Sequence, residues 1–324
     1  MAKMAVTGGA GFIGSNLAEY LLNQGHHLVI VDNFSTGKEQ NLRGWADRNP
    51  DRVEVLRFDV NETDRLRKAF QGAQYVFHQA AIPSVPRSIV DPQATNLANI
   101  SGTLSVLVAA RDAGVKRIVA ASSSSIYGDD PVLPKTEARA GRPLSPYALS
   151  KVASEEYCRL FYQLYDFETV CLRYFNIFGP HQDPKSEYAA VIPRFATRLL
   201  DGAPPVIFGD GEQTRDFTYV SNVVDANWLA ATHPNAAGEV FNIGCGTQTS
   251  LNQLARELSR IVGTDCNPSY GPARQGDVRH SLADIGKAKR LLGYAPAVSL
   301  REGLIKVIDW YRAQRQAGDG ASAV

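Results

Sequence analysis

Cysteine is nearly absent from this chain: four in 324 residues, Cys158, Cys171, Cys245 and Cys266, with no CxxC spacing and no Cys/His cluster. That scarcity argues against a disulfide framework and a metal site, and it fits a reducing compartment. Excess charge of either sign is missing too. Lysine plus arginine count 34 against 33 acids, a formal net charge of +1, so no general field exists to hold DNA or RNA. No stretch approaches the roughly 18 apolar residues of a membrane span. Met1 to Gly9 runs straight into a strand and a glycine turn, with no room for an apolar leader. The expectation is a cytoplasmic protein that binds neither nucleic acid nor membrane.

What is present describes a packed globular body, 44% hydrophobic and 21% charged. At about 150 residues per domain the length allows roughly two domains. From Lys3 to Arg173 short β-branched runs alternate with helical stretches, the rhythm of βαβ units in a parallel sheet. Strands are predicted at Met4 to Thr7, Leu28 to Asp32, Val53 to Phe58, Tyr75 to His78, Arg117 to Ala121 and Thr169 to Arg173. Helices are predicted at Phe12 to Gln24 and Pro92 to Ala113, giving a doubly wound (Rossmann) α/β fold. After Gly179-Pro180 the rhythm breaks, with shorter helices near Tyr188 to Leu200, Ser221 to Ala231, Leu251 to Val262 and Leu300 to Arg315. Val240 to Ile243 reads as one more sheet strand, and the tail from Ala317 as frayed. The expected division is residues 1–178 with about 219–244 for the Rossmann domain, and 179–218 with 245–324 for a smaller α/β substrate domain.

Thr7-Gly8-Gly9-Ala10-Gly11-Phe12-Ile13-Gly14 follows the first strand and opens the first helix. Gly9, Gly11 and Gly14 fit GxGxxG; Gly8, Gly11 and Gly14 fit GxxGxxG. Glycines there permit a tight turn and let backbone approach a pyrophosphate seated on the helix N-terminus. Asp32 ends the second strand, 21 residues beyond Gly11, where a carboxylate accepts from an adenosine ribose and repels a 2′-phosphate. With no arginine between Asp32 and Gly37, NAD is expected over NADP; the other reading of Asp32 is a turn residue. Asp59-Val60 ends the third strand, either lining the adenine or capping a helix from Asn61.

Tyr147-Ala148-Leu149-Ser150-Lys151 sets a phenol and an ammonium one turn apart on a helix face, behind a Ser145-Pro146 start signal. A tyrosine of pKa about 10 becomes a usable base only when cations favour its phenolate, and Lys151 and an oxidised nicotinamide would do so. Ser122 to Ser125, directly after the fifth strand, lies at the carboxyl edge of the sheet, where such folds bind ligands.

Glycine fingerprint, Asp32, serine run and YxxxK, in this order, resemble the extended short-chain dehydrogenase/reductases, specifically their UDP-hexose 4-epimerases. The resemblance extends to Gly286-Lys287-Ala288-Lys289-Arg290-Leu291-Leu292-Gly293-Tyr294. It implies an isomerase with Tyr147 as acid/base, Lys151 on the nicotinamide ribose, and Ser123 as the catalytic hydroxyl. It further implies an NAD site of Gly8, Gly11, Phe12, Ile13, Gly14, Asp32, Asn33, Ser35, Thr36, Gly37, Asp59, Val60, Ala80, Ala81, Asn99, Tyr147 and Lys151. A homodimer through Pro92 to Ala113 and Pro146 to Tyr165 is implied as well. Similar 4,6-dehydratases carry Thr-Asp-Glu, and decarboxylases a Glu, where this chain has Ser123-Ser124-Ser125. Elimination would therefore lack its acid and base.

For the UDP-sugar the resemblance implies Asn176, Phe208 beside the uracil, Arg215 and Arg274 on the diphosphate and Asp277 on the ribose, with Ser84, Ser123, Ser124, Tyr147 and Val191. A planar guanidinium suits phosphate oxygens, though by themselves both arginines also read as surface ion pairs. Ser281 stands where a tyrosine would exclude an N-acetyl group. That implies UDP-GlcNAc/UDP-GalNAc, with UDP-Glc/UDP-Gal accepted too. The alternatives are an epimerase restricted to non-acetylated sugars, a UDP-glucuronate 4-epimerase, a dehydratase, and a non-enzymatic NAD-binding scaffold. Asp183 replaces an arginine that would receive a glucuronate carboxylate, and a carboxylate facing a carboxylate disfavours that sugar.

Overall fold

The computed structural model describes residues 1–321 apart from 140, 185–189 and 274–277, with side chains through 316. Six parallel strands form as the alternation predicts: β1 (Lys3–Thr7), β2 (His27–Asp32), β3 (Val53–Arg57), β4 (Ala73–His78), β5 (Arg117–Ser123) and β6 (Glu168–Tyr174). The seventh, β7 (Val240–Ile243), pairs in parallel with β6. The order β7-β6-β5-β4-β1-β2-β3 reverses direction at β1, which opens a ligand crevice above its carboxyl end. Met4, Ala5 and Val6 are all fully buried because β1 lies mid-sheet with helices over both faces. Edge strand β3 is more open, with Glu54, Val55 and Arg57 exposed.

α1 (Phe12–Asn23) packs against β1 and β2, while α2 (Thr63–Phe70) and α3 (Gly102–Asp112) cover the opposite face. The predicted helix from Asn61 begins two residues later, because Asp59 closes its own turn onto the Asn61 amide at 2.9 Å. The helix predicted over Pro92 to Ala113 forms as one continuous run to Asp112 with a π-helical turn inside it. Pro92–Asn96 leads into a π-turn at Leu97–Ser101 before α3 starts. A π-turn inserts one residue, which swings Asn99 inward, and Gly102 lets Val60 approach to where a Cβ would stand 2.7 Å away.

α4 (Pro146–Tyr165) has the predicted cap, Ser145 Oγ accepting from the Ala148 amide at 3.1 Å. A separate apolar cluster unites α5 (Val191–Leu200), α6 (Val220–Thr232), α7 (Leu251–Val262) and α8 (Leu300–Ala321) through Phe195, Val220, Leu254, Leu258, Leu304 and Ile308. α8 runs on to Ala321, so the tail expected to fray at Ala317 continues the helix. Of the helix predicted from Tyr188, the described part begins at Val191. No helix among the described residues is long and apolar enough to cross a membrane.

Candidate active site

The crevice begins at the glycine turn. Gly8 has φ +69°, and a Cβ on it would meet the Ala80 amide nitrogen at 2.5 Å. A Cβ on Gly14 would stand 2.1 Å from the Gly8 carbonyl oxygen. Side chains at either place would fill the cradle. Gly11 caps α1 without a side chain, so the first amides of the helix face outward for an anion. Asp32 is buried beside them, Oδ2 accepting from Ala10 N at 2.9 Å and Oδ1 from Phe34 N at 2.8 Å. Burial pushes its pKa up, and those two amides pull it down. An open helix N-terminus, a cradle without side chains and an acceptor at the end of β2 fit a dinucleotide. Asn33 Nδ2 donates to Asp59 Oδ2 at 2.7 Å, joining the β2 and β3 ends of the crevice. Burial opposes ionisation of Asp59, but hydrogen bonds from Asn61 and Asn33 win and hold its pKa low.

The reaction group is brought together from two elements, β5 and α4. At the end of β5, Ser123 Oγ accepts from Ser125 N at 3.1 Å, and its hydroxyl lies close enough to the Tyr147 phenol of α4 to lower the phenol's pKa. Lys151, one turn on, is buried, and its Nζ donates to the Ala121 carbonyl at 2.8 Å, 6.0 Å from the Tyr147 ring centroid. Burial lowers the Lys151 pKa to about 8, against the pull of Cys171 and Glu155. Burial raises that of Tyr147, opposed by the Ser123 hydroxyl. Tyr147 in the free protein is therefore a neutral phenol, and ionising it falls to the Lys151 charge together with whatever cationic charge arrives in the crevice.

Asn99, expected among cofactor contacts, turns its amide inward. Oδ1 accepts from Ile82 N at 2.8 Å and Nδ2 donates to Ser150 Oγ at 3.0 Å, so it braces the Ala80-Ala81-Ile82 turn against α4. Ser84 caps a short helix at Val85–Val90 through Arg87 N. Sequence reasoning missed Glu155, whose carboxylate takes the Ser122 hydroxyl and a bidentate Arg173 beneath Lys151. Its i+4 spacing from Lys151 was the available signal.

On the far wall, Asn176 adopts φ +41°, and its Nδ2 donates to the Asp216 carbonyl at 3.4 Å. Arg215 lies in the short strand Thr214–Arg215, and Ser281 N donates to Thr214 O at 3.1 Å. Phe208 ends the strand Val206–Phe208, 5.2 Å below the Arg194 guanidinium, and Val191 opens α5. Arg274 and Asp277 lie outside the described residues. One expectation fails: Asp183 does not face a sugar carboxylate as a bare charge. It is paired with Lys38 at 2.6 Å, on the loop after β2, because His181 and Pro180 hold its segment against Ser15 and Asn16 of α1. The repulsion argument against UDP-glucuronate loses its basis.

Residues 4–244 match the model of the NAD dependent epimerase/dehydratase family. A UDP-glucose 4-epimerase from Mycolicibacterium smegmatis is 40% identical over 97% of this chain and 100% of its own length. Among solved structures, UDP-N-acetylglucosamine 4-epimerase from Methanobrevibacter ruminantium, in complex with UDP-N-acetylmuramic acid, superposes with a TM-score of 0.92 at 38% identity, covering 97% of this chain and 99% of that one. UDP-glucose 4-epimerase with UDP-glucose from Thermotoga maritima gives 0.91 at 39% identity, with coverages of 97% and 99%.

Proposed function

This chain belongs to the NAD dependent epimerase/dehydratase family, and we propose that it interconverts UDP-GlcNAc and UDP-GalNAc, accepting UDP-Glc and UDP-Gal as well. It is an isomerase, a NAD-dependent UDP-sugar 4-epimerase. The observation that carries the reading is the Ser123–Tyr147–Lys151 group at the carboxyl edge of β5, with no carboxylate at 124 or 125 to drive an elimination.

NAD, when bound, supplies a reversible hydride acceptor for C4. The residues of the chain act at O4. Tyr147 takes the O4 proton and later returns it, Ser123 hydrogen-bonds the same oxygen, and Lys151 supplies the positive charge that lowers the cost of the phenolate. Asn176, Phe208 and Arg215 hold the UDP end, with Arg274 and Asp277 expected to join them. The 4-keto sugar is then free to turn about its phosphate linkage and offer its other face. Ser281 leaves space at the sugar wall for an N-acetyl group.

A homodimer is part of the proposal. Leu149, Leu160 and Leu164 of α4, with Ile89, Val90 and Leu97, form an exposed apolar face that a second copy would cover. Sedimentation at micromolar concentration would reveal a monomer if this is wrong.

The substrate test equilibrates UDP-Glc, UDP-GlcNAc and UDP-glucuronate separately with the enzyme, then repeats the assay with Ser281→Tyr. The acetylated sugar should epimerise with wild type and fail with the variant. Unchanged N-acetyl activity would remove Ser281 as the determinant.

A further inference from the structure

Asp216 is a carboxylate with no solvent exposure, and no cation among the described residues pairs with it. A buried charge of this kind persists only if amide donors replace its water. Three do. Oδ1 accepts from Cys245 N at 2.9 Å; Oδ2 accepts from Gly246 N at 3.0 Å and Ala283 N at 3.2 Å. Burial raises the carboxyl pKa and these amides pull it back.

What those bonds join is more telling than their number. Cys245 to Thr247 form the turn leaving β7 of the central sheet. Ala283 lies two residues past Ser281, whose amide donates to Thr214 O. Arg215 is the chain neighbour of Asp216, and the Asp216 carbonyl accepts from Asn176 Nδ2. Three groups assigned above to different parts of one UDP-sugar thus meet at one residue: Asn176 bonds the Asp216 carbonyl, Arg215 is its chain neighbour, and Ser281 stands two residues before Ala283, whose amide donates to the Asp216 carboxylate.

We infer that Asp216 is a positioning residue for the UDP-sugar: it locks the strand carrying Arg215, the segment carrying Ser281 and the turn after β7 into one register, fixing the span between diphosphate contact and sugar wall. The inference rests on the substrate assignments under Proposed function. Gly244 supplies an independent handle. A Cβ there would stand 2.8 Å from Asp216 Oδ2 and 2.7 Å from the Ala283 Cβ, so an alanine presses on this junction without replacing any residue assigned to the ligand.

The experiment compares Asp216→Asn, Gly244→Ala and Arg215→Ala in NAD-loaded full-length protein. It measures kcat, KM for UDP-GlcNAc and UDP-Glc, UDP affinity by calorimetry, and NAD content. An asparagine offers one oxygen and an amide where three amide donors converge, so KM and the UDP Kd should rise about tenfold while kcat stays within about threefold and NAD content holds. Gly244→Ala should move KM the same way by a smaller factor, and it decides the matter if Asp216→Asn does not fold. Loss of kcat, KM and NAD content in parallel would make Asp216 a general structural tie and overturn the inference. So would unchanged KM in both variants while Arg215→Ala raises it. If Arg215→Ala also leaves KM unchanged, the substrate assignment fails first and takes the inference with it.

Discussion

Arg173 grips Glu155 through Nε at 2.9 Å and Nη2 at 2.7 Å, with both side chains about nine-tenths buried. The pair joins β6 to α4 directly behind Lys151, and Arg173 Nη1 goes on to the Tyr127 hydroxyl at 2.8 Å. Removing one partner strands the other charge in the core. Glu155→Leu or Arg173→Met alone should therefore cost about 3–5 kcal/mol, whereas the paired change Glu155→Leu with Arg173→Met should cost less than the sum. Thermal melts of the two singles and the double check this, and additive losses would show that the charges are uncoupled.

Tyr147→Phe keeps the ring and removes the one group placed to move a proton at O4. Turnover should fall by about three orders of magnitude or more with NAD content unchanged, and Ser123→Ala should cost about tenfold to a hundredfold. Chromatography of the UDP-sugar pool reads both, and retained activity in Tyr147→Phe would reject the assignment.

Lys151 titrates near 8 because it is buried. Its positive charge is present below that pH and lost above it, so support for the Tyr147 phenolate weakens on the alkaline side. The kcat profile should decline above about pH 8. In Lys151→Arg, which keeps its charge, the residual activity should lack that decline.

His78 is buried between Thr7 Oγ1 at 2.7 Å and Thr103 Oγ1 at 3.0 Å, and burial lowers its pKa to about 3. The unfolded chain takes up a proton at about pH 6.5, and the folded one does not until far lower. Stability is therefore intact above about pH 6.5 and falls as pH drops through the window below it, by at most about 1.4 kcal/mol per pH unit for this one proton. His78→Gln should flatten the slope of melting temperature against pH between 6 and 4. An unchanged slope would assign acid lability elsewhere.

The sheet was legible in the sequence because a strand covered on both faces must be apolar along its whole length, as Met4 to Val6 and Ile118 to Ala120 are. The glycine turn was legible for a related reason: only glycine tolerates the backbone angle of Gly8 and the contact of Gly14 with its carbonyl. Tyr147, Lys151 and the Ser145 cap follow from helical spacing, a property of neighbours in the chain. Contacts between segments distant in sequence leave no such trace. Nothing local to Asp183 announces Lys38, the π-turn that swings Asn99 onto Ser150 shows no break in the pattern, and Asp216 reads as one more polar residue after an arginine. Their partners are chosen by burial, since a polar group taken from water must find whichever donor or acceptor the packed chain brings within reach. The sequence by itself determined the fold and the groups capable of the chemistry. The tertiary structure alone decided which of them face the crevice and which are held behind it.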